Sequence, residues 1–441
     1  MKKIRFLYRL LSAFLDRHKK IFFLGFTTGI CSFFFLPKLI PLLPKTKAAV
    51  RIGMVGRFKI DEIPLEIQDS ISLGLTKTDI NGNSLPALAD NWSVDESGKN
   101  YVFTLGDHFW QNSTKVLASD INYNFKDVET KVLDTQKIQY TLKEPFAAFP
   151  IIVSKPIFKK GFMGVGNYKV NHITKNGQYL ELISLESINN QKPDLKYRFY
   201  PSDASIKTAY KLGEINQISG LIDLSGFENW KNIQISPNVH YNQFVGIFFN
   251  TAKPPFSDKS FRQSLAYALK KDYGNLKVYG PINPQSWAYN SDVKTYDYDL
   301  ANAKKLLAKS LGDQKISSVR IKIVTLSSLL KEAESVKQSW EALGLKVEIG
   351  AFSSLDNDFD ALLAIQEIPD DPDQYNLWHS SQDSNITHFN NPRIDKLLED
   401  GRKTMDKNIR KNIYFDFQRY LAEEIPVIFL YYPTTYNISR K

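Results

Sequence analysis

"FFNTAKPPFSDKSFRQSLAYAL" occupies residues 248–269. The opening phenylalanines read as the end of a buried strand, and Asn250-Thr251 begins a turn. Pro254 and Pro255 lack the backbone N–H that a sheet ladder needs, so pairing stops there. Ser257 is the expected N-cap of a following helix, with Asp258 placing negative charge in its first turn. Phe261, Leu265, Ala268 and Leu269 then recur on one helical face. Arg262 lies in the same stretch and reads as a structural ion pair or a surface residue rather than a catalytic group. The unit is a strand, a stiff turn and a core-facing helix: a junction rather than an active-site loop.

The flanking chain is mixed α and β. "VRIGMV" (50–55) reads as a buried strand, and "NGNSLPALADNW" (81–92) as a turn followed by a short apolar segment. "VDESGKNYVFTL" (94–105) turns at Ser97-Gly98 and then alternates through Tyr101, Phe103 and Leu105. "TKVLASDINYNF" (114–125) reads as a loop entering a helix, with Ser119 as N-cap. Near Ser202 another helix begins, and Gly213 closes it. Further on, "VRIKIV" (319–324), a helical stripe from Leu329 to Leu343 and "LKVEI" (345–349) form a strand-helix-strand unit, hence a right-handed parallel crossover. "FDALLAIQ" (359–366) is a further strand. Ile409, Ile413, Phe417, Tyr420 and Leu421 mark a long amphipathic helix before a final strand, "PVIFLYY" (426–432).

The 441 residues carry a net charge of +10, but residues 1–47 hold ten Lys/Arg against the single acid Asp16. They account for +9 and leave a nearly neutral body, which removes the case for nucleic acid. "IFFLGFTTGICSFFFL" (21–36) is uncharged. Residues 1–20 are expected to be a cytoplasmic basic segment, and 21–43 a transmembrane signal anchor if Lys38 snorkels. A cleaved signal peptide, with "TKAA" (46–49) as its cleavage site, is the rival reading. In both, the body faces the extracellular or periplasmic side. The one cysteine, Cys31, lies in the apolar run and reads as a small membrane-helix residue, so no disulfide staples the body.

Nucleotide-loop, serine-hydrolase and zinc-protease motifs are absent. The six histidines are scattered without ligand spacing, so neither a metal nor another cofactor is expected. The densest acidic stretch is "EIPDDPDQYNLWHS" (367–380), which reads on its own as a solvated loop. Trp340 belongs to a core stripe, while Trp287 and Trp378 follow loops and are candidate pocket residues.

Seven segments, in order from about residue 70 to 432, resemble the extracellular solute-binding proteins of the peptide/nickel type, family 5. They are "LPALADNWSVDESGKNYVFTL", "TKVLASDINYNF", "FFNTAKPPFSDKSFRQSLAYALKKD", "YDYDLANAKKLLAKS", "DPDQYNLWHSS", "NNPRIDKLLEDG" and "IPVIFLYY". The resemblance implies an α/β (mixed α+β), two-lobe periplasmic-binding-protein-like fold, type II and cluster C-like, here with an N-terminal transmembrane helix. The first lobe is expected to comprise residues 48–243 plus 427–441, and the second 244–426. Phe249, Asn250, Pro254 and Pro426 are the expected junction residues.

The implied activity is capture, not catalysis: a monomeric substrate-binding component that closes on short peptides and delivers them to ABC permease subunits. The ligand would pair with the strand "ALLAIQE" (361–367), contributing Gln366. Glu367 would neutralise its α-amino group, with Asp370 and Asp371 in reserve, and Trp287, Trp378 and Tyr431 would line the cleft. The family's usual acid four residues before the Asp-Pro proline is Ile368 here. Leu362, Leu363 and Ala364 replace its usual tryptophan, and Asn167 its usual proline. Three alternatives remain: a transport-independent surface sensor of the same fold, a binder of a metal chelate or oligosaccharide, and a carboxylate-dependent hydrolase built on Glu367, Asp370 and Asp371.

Overall fold

A computed structural model describes residues 2–39, 49–189, 192–352 and 359–441. Residues up to Ala49 form one compact unit and Val50–Lys441 another. The first unit is the helix α1 (Lys2–Leu39), whose backbone leaves helical geometry at His18. Phe23, Phe26, Phe33 and Phe35 are exposed on it, as is the free Cys31. Among the described residues no helix is long and apolar enough to cross a membrane. The uncharged run between Lys20 and Lys38 falls short of the roughly 20 residues a span requires. Residues 40–43 of the expected anchor, and 46–48 of the expected cleavage stretch, lie outside the described residues.

The body opens with β1 (Ala49–Val55) and α2 (Leu65–Ile71), then the small hairpin β2 (Thr76–Thr78) and β3 (Ser84–Pro86). An antiparallel sheet follows, made from β4 (Ala89–Val94), β5 (Asn100–Leu105), β6 (Val128–Val132) and β7 (Lys137–Leu142), in the order β4-β5-β7-β6. Alternation along β5 buries Tyr101, Phe103 and Leu105, as its sequence pattern predicts. The helix expected after Ser119 is only a single 3₁₀ turn, Ala118–Asp120. The Asp120 carboxylate instead accepts from the Trp110 indole at 2.9 Å and the Leu117 amide at 3.1 Å, and pairs with Lys159 at 3.0 Å.

After α3 (Phe149–Ile152) come β8 (Tyr168–Asn176), β9 (Tyr179–Ser187), β10 (Asp194–Tyr200), α4 (Asp203–Leu212), β11 (Gln217–Leu221) and β12 (Ile233–Val239). With β1 and the last strand of the chain they build a seven-stranded sheet. Helix α2 packs Ile67 and Ile71 on one of its faces, and α4 packs Ile206, Ala209 and Tyr210 on the other. Helix α4 is capped as expected, by Ser202 at its start and the left-handed Gly213 at its end.

The chain then enters a five-stranded sheet. Its elements are β13 (Gln243–Phe249), α5 (Lys259–Tyr267), α6 (Leu300–Leu311), β14 (Arg320–Thr325), α7 (Leu330–Glu341), β15 (Lys346–Ala351), β16 (Ala361–Glu367), α8 (Tyr375–Trp378), α9 (Pro392–Lys403), α10 (Lys407–Glu424) and β17 (Val427–Tyr431). The strand order is β15-β14-β16-β13-β17. Because side chains alternate along β13, Val245, Ile247 and Phe249 pack under α5, α6 and α7, while Phe244 and Phe248 pack under α9 and α10. Finally β18 (Thr434–Arg440) returns to the seven-stranded sheet, paired with β11 and β12.

Two crossings therefore join the lobes, one between β12 and β13 and one between β17 and β18. They run side by side. The His240 amide donates to Pro433 O at 2.9 Å, its ring lies 2.7 Å from the Thr435 hydroxyl, and Tyr241 packs edge-on against Tyr432. This differs from the sequence expectation in two places. Val427–Tyr431 does not leave with the first lobe but hydrogen-bonds to β13. Phe249, Asn250, Pro254 and Pro426 lie at the other end of β13, about seven residues or roughly 20 Å from the crossing. There the Phe249 amide donates to Pro426 O at 3.0 Å, and the Asn250 amide to Asp360 O at 3.0 Å. These are core closures inside the second lobe.

Helix α5 is capped by Asp258, one residue later than the expected Ser257; its carboxylate accepts from the Phe261 amide at 3.1 Å. Arg262 is buried and spends its guanidinium on backbone carbonyls: Phe256 and Ser257 at 2.7 and 3.1 Å, Ile425 at 3.1 Å and Glu424 at 2.6 Å. It ties the start of α5 to the C-terminus of α10, whose unpaired carbonyls attract a cation.

Candidate functional site: a strand edge and a carboxylate between the lobes

Strand β16 is paired along its whole length on one side, from Gln243↔Glu367 to Phe249↔Ala361 of β13. On the other side β14 accompanies it only at Ala361, Leu362 and Leu363. The parallel ladder ends where Thr325 turns away, its hydroxyl donating to Leu363 O at 2.9 Å. Among the described residues no strand pairs with Ala364, Ile365, Gln366 or Glu367 on that side. The four residues leave an open edge of roughly 13 Å, a row of backbone donors and acceptors with the geometry to add one more strand. It lies beyond the carboxyl end of β14, where the crossover to β15 leaves in one direction and β16 stands in the other. That is the switch point at which open α/β sheets bind ligands. Leu326, Leu330 and Ile365 are each more than 40% exposed.

Past the edge the chain meets the first lobe. The Ile368 amide donates to Asn242 O at 2.7 Å, and Asp370 enters the junction. Asp370 lines two cavities there. One, of about 230 Å³, includes Asp79, Tyr241, Asn242 and Ser286. The other, of about 320 Å³, includes Leu65, Asp69, Thr78 and Lys155. Asp370 is exposed by surface area, yet desolvation between the lobes raises its pKa, and the neighbouring Asp371 raises it further. Desolvation raises that of Asp69 too, with Asp370 adding to the effect. Two carboxyls from different lobes thus resist ionising together, an arrangement that a cation between them relieves.

The turn Asp79–Asn83 closes the junction from the first-lobe side. Asp79 accepts from the Asn81 and Asn83 amides at 2.9 and 2.8 Å, which fixes the turn. Its hydrogen bonds to Asn83, first from the side chain and then from the backbone, hold the Asp79 carboxyl below its ordinary range. From the second lobe the Trp287 amide donates to Asn81 O at 3.1 Å, and Lys407 Nζ donates to Asn83 Oδ1. Gly82, at φ +78°, comes so close to Asp370 that a Cβ would sit 2.5 Å from its carbonyl oxygen. Gly82→Val should therefore hold the lobes apart, because the side chain adds that clash to a left-handed strain of about 1–3 kcal/mol. Small-angle scattering should show a larger radius of gyration for the variant. An unchanged profile would mean the contact does not govern closure.

The other sequence-predicted residues divide clearly. Glu367 and Gln366 lie on the open edge, Glu367 exposed and the Gln366 amide donating to Glu367 O at 3.1 Å. Asp371 is buried against Arg410 in a two-bond ion pair, one bond 2.8 Å, and is spent structurally. Asp373 is likewise taken, by Arg402 at 2.8 Å. Trp287 does line a cavity between the lobes. Trp378 does not: it is buried in the second lobe's core, stacked near Phe248, its indole donating to Gln374 Oε1 at 3.2 Å. Tyr431 ends β17 with its hydroxyl donating to Glu332 at 3.0 Å and its ring packed on Tyr273; it lines neither Asp370 cavity. Sequence reasoning missed Asp69, Gly82 and Lys407. Only "NGN" (81–83), which opens the stretch 81–92, carried a local signal, and it read simply as a turn.

This geometry, an open strand edge and carboxylates gathered where two lobes meet, suits a class of proteins that bind between lobes. The family model of the bacterial extracellular solute-binding proteins, family 5 middle, matches residues 84–386. The chain belongs to that family. It is 27% identical over 316 residues to the oligopeptide-binding protein AppA of Bacillus subtilis, which covers 63% of this chain and 58% of the relative. The chain thus matches somewhat over half of that relative's length. Two solved structures share the fold. NikZ from Campylobacter jejuni in complex with Ni(L-His) has a TM-score of 0.75 at 22% identity, covering 90% of this chain and 94% of that one. AppA from Bacillus subtilis in complex with a nonapeptide has a TM-score of 0.70 at 20% identity, covering 90% and 95%.

Proposed function

We propose that the protein is the substrate-binding component of an ABC importer, and that it captures short peptides with a free amino terminus outside the cell. The observation that carries this reading is the open edge Ala364–Glu367, which ends three residues before Asp370. An extended ligand adds to the edge through main-chain hydrogen bonds, so side chains matter little to this contact. Its ammonium group lies between the lobes at Asp370, one of the two reserve acids, in the role first expected of Glu367. Closure then follows from contacts made only when both lobes touch the ligand. The crossings at 240–242 and 432–433 act as the hinge. The relative AppA, named for oligopeptides and solved with a nonapeptide, supports the ligand class. The basic, then apolar N-terminal segment serves export and holds the body at the membrane face, with permease subunits as the partners.

Among the described residues no group of three or more His, Cys, Asp or Glu is placed to hold a metal ion. A metal arriving within a chelate does not require such a group, and NikZ is solved with one. Calorimetry therefore compares Ala-Ala-Ala, its N-acetylated form and nickel–histidine. The free tripeptide should bind, and acetylation should weaken it about thirtyfold or more, the loss of a charge-assisted contact. Heat with nickel–histidine alone would sink the peptide reading.

A further inference from the structure

We propose that the cavity between Trp92, Tyr101 and Trp287 receives an aromatic side chain of the bound ligand, so that the protein selects Phe-, Tyr- or Trp-containing peptides. This rests on the peptide reading above and adds a preference to it.

The cavity measures about 330 Å³, within the range of small-molecule pockets. Trp92 on β4 and Tyr101 on β5 face it from the first lobe; Trp287, Met405, Lys407 and Arg410 face it from the second. The cavity thus forms only when the lobes meet. Its polar atoms are largely engaged. The Tyr101 hydroxyl donates to Phe146 O at 2.9 Å and lies 3.5 Å from the Met405 sulfur, which leaves its ring as an apolar wall. Trp92 is held by stacking on Phe103, with centroids 6.0 Å apart. Arg410 is neutralised by Asp371.

Beside these stand the rings of Trp92 and Trp287, the nearly buried Tyr101 ring, the Met405 thioether and aliphatic groups such as Val94 and Ile151, surfaces that favour another ring beyond the area it buries. Lys407 completes the wall. Its ammonium donates to the neutral Asn83 amide and sits 5.1 Å from the Trp287 centroid. Among the charged lining residues Asp371 offsets Arg410 and Lys407 stands over, so the wall is net positive and disfavours a lysine or arginine side chain. The cavity also adjoins the amine site. Gly82 lines both this cavity and one that holds Asp370, and Asp371 in its wall is the next residue after Asp370. A peptide anchored by its amine at Asp370 therefore brings an early side chain to the rings.

The test is calorimetry on the full chain with Ala-Ala-Ala and its variants carrying one Phe or one Lys at each position. At one position Phe should tighten binding about tenfold or more over Ala, and Lys at that position should not. Phe within about twofold of Ala at every position would overturn the inference while leaving the peptide reading intact. So would Lys as the tightest ligand. Binding of none of the peptides would bring down both. In Trp287→Ala the Phe-to-Ala affinity ratio should fall to about one; an undiminished ratio would place the aromatic preference elsewhere.

Discussion

Arg410→Leu is expected to lower the stability of the body by about 3–5 kcal/mol, the cost of leaving a buried carboxylate without its partner. Asp371 and Arg410 are 7% and 5% exposed, so water cannot replace the lost contact. The guanidinium also donates through Nε to Gly401 O at 2.7 Å and to the Tyr414 hydroxyl at 3.3 Å. Its loss frees four connections at once: to the loop after β16, to the end of α9 and within α10. Asp371→Leu should be comparably damaging, because it strands the cation instead. The double variant Asp371→Leu/Arg410→Leu should recover much of the loss, since two apolar groups can replace a buried pair at little net cost. Denaturant midpoints of the three variants test this. Equal losses in the singles and a summed loss in the double would show that the two side chains act independently.

Asp370→Asn is expected to weaken a free-amine tripeptide by about thirtyfold or more, since it removes the charge of a partly desolvated ion pair while keeping its shape. The variant should lose little stability, because no salt bridge within the protein depends on that carboxylate among the described residues. The pH dependence has a definite sign. Without ligand, desolvation and then Asp371 raise the Asp370 pKa above its ordinary 3.8. An ammonium group binds the ionised form, so complex formation drives a proton off Asp370. Affinity should accordingly fall as pH drops through the raised pKa, at a higher pH than an ordinary aspartate would dictate. In Asp370→Asn that fall should be absent. A wild-type affinity that stays flat down to pH 3.8 would remove Asp370 from the amine site.

Much of the fold was legible because it rests on local rules. β13 stops at Phe249, five residues before the double proline expected to end it, but the helical stripe through Phe261 and Leu265 does face the core. The β14–α7–β15 crossover followed from period alone, and Trp340 is buried on it, its indole donating to Leu265 O at 3.1 Å. Errors came where a tertiary partner decides. Ile409 fitted the apolar period of α10 but is 58% exposed; Arg410 and Gln418, polar by type, occupy the buried face because Asp371 and Ala288 O receive them. Ser119-Asp120 had helix-start chemistry, but Trp110 and Lys159 claimed the carboxylate.

The site was legible only in part for the same reason. The segment 361–371 is contiguous, so both its strand and its acids were visible. Which acid remains available was not, because Arg410 and Arg402 lie some 30 to 40 residues further along. Asp69 and Gly82 come from the other lobe, nearly 300 residues before Asp370, and no spacing rule links them to it. The crossing point was displaced because the turn from Asn250 to Pro255 marks the visible end of β13, whereas the hinge is at its unpunctuated start.

Hydrogen exchange across residues 361–371, with and without Ala-Ala-Ala, tests the central claim most directly. Ligand pairing with the open edge should slow exchange of amides between Ala364 and Glu367, while Ala361–Leu363, already laddered on both sides, should change little. Binding with no added protection between Ala364 and Glu367 would contradict the account.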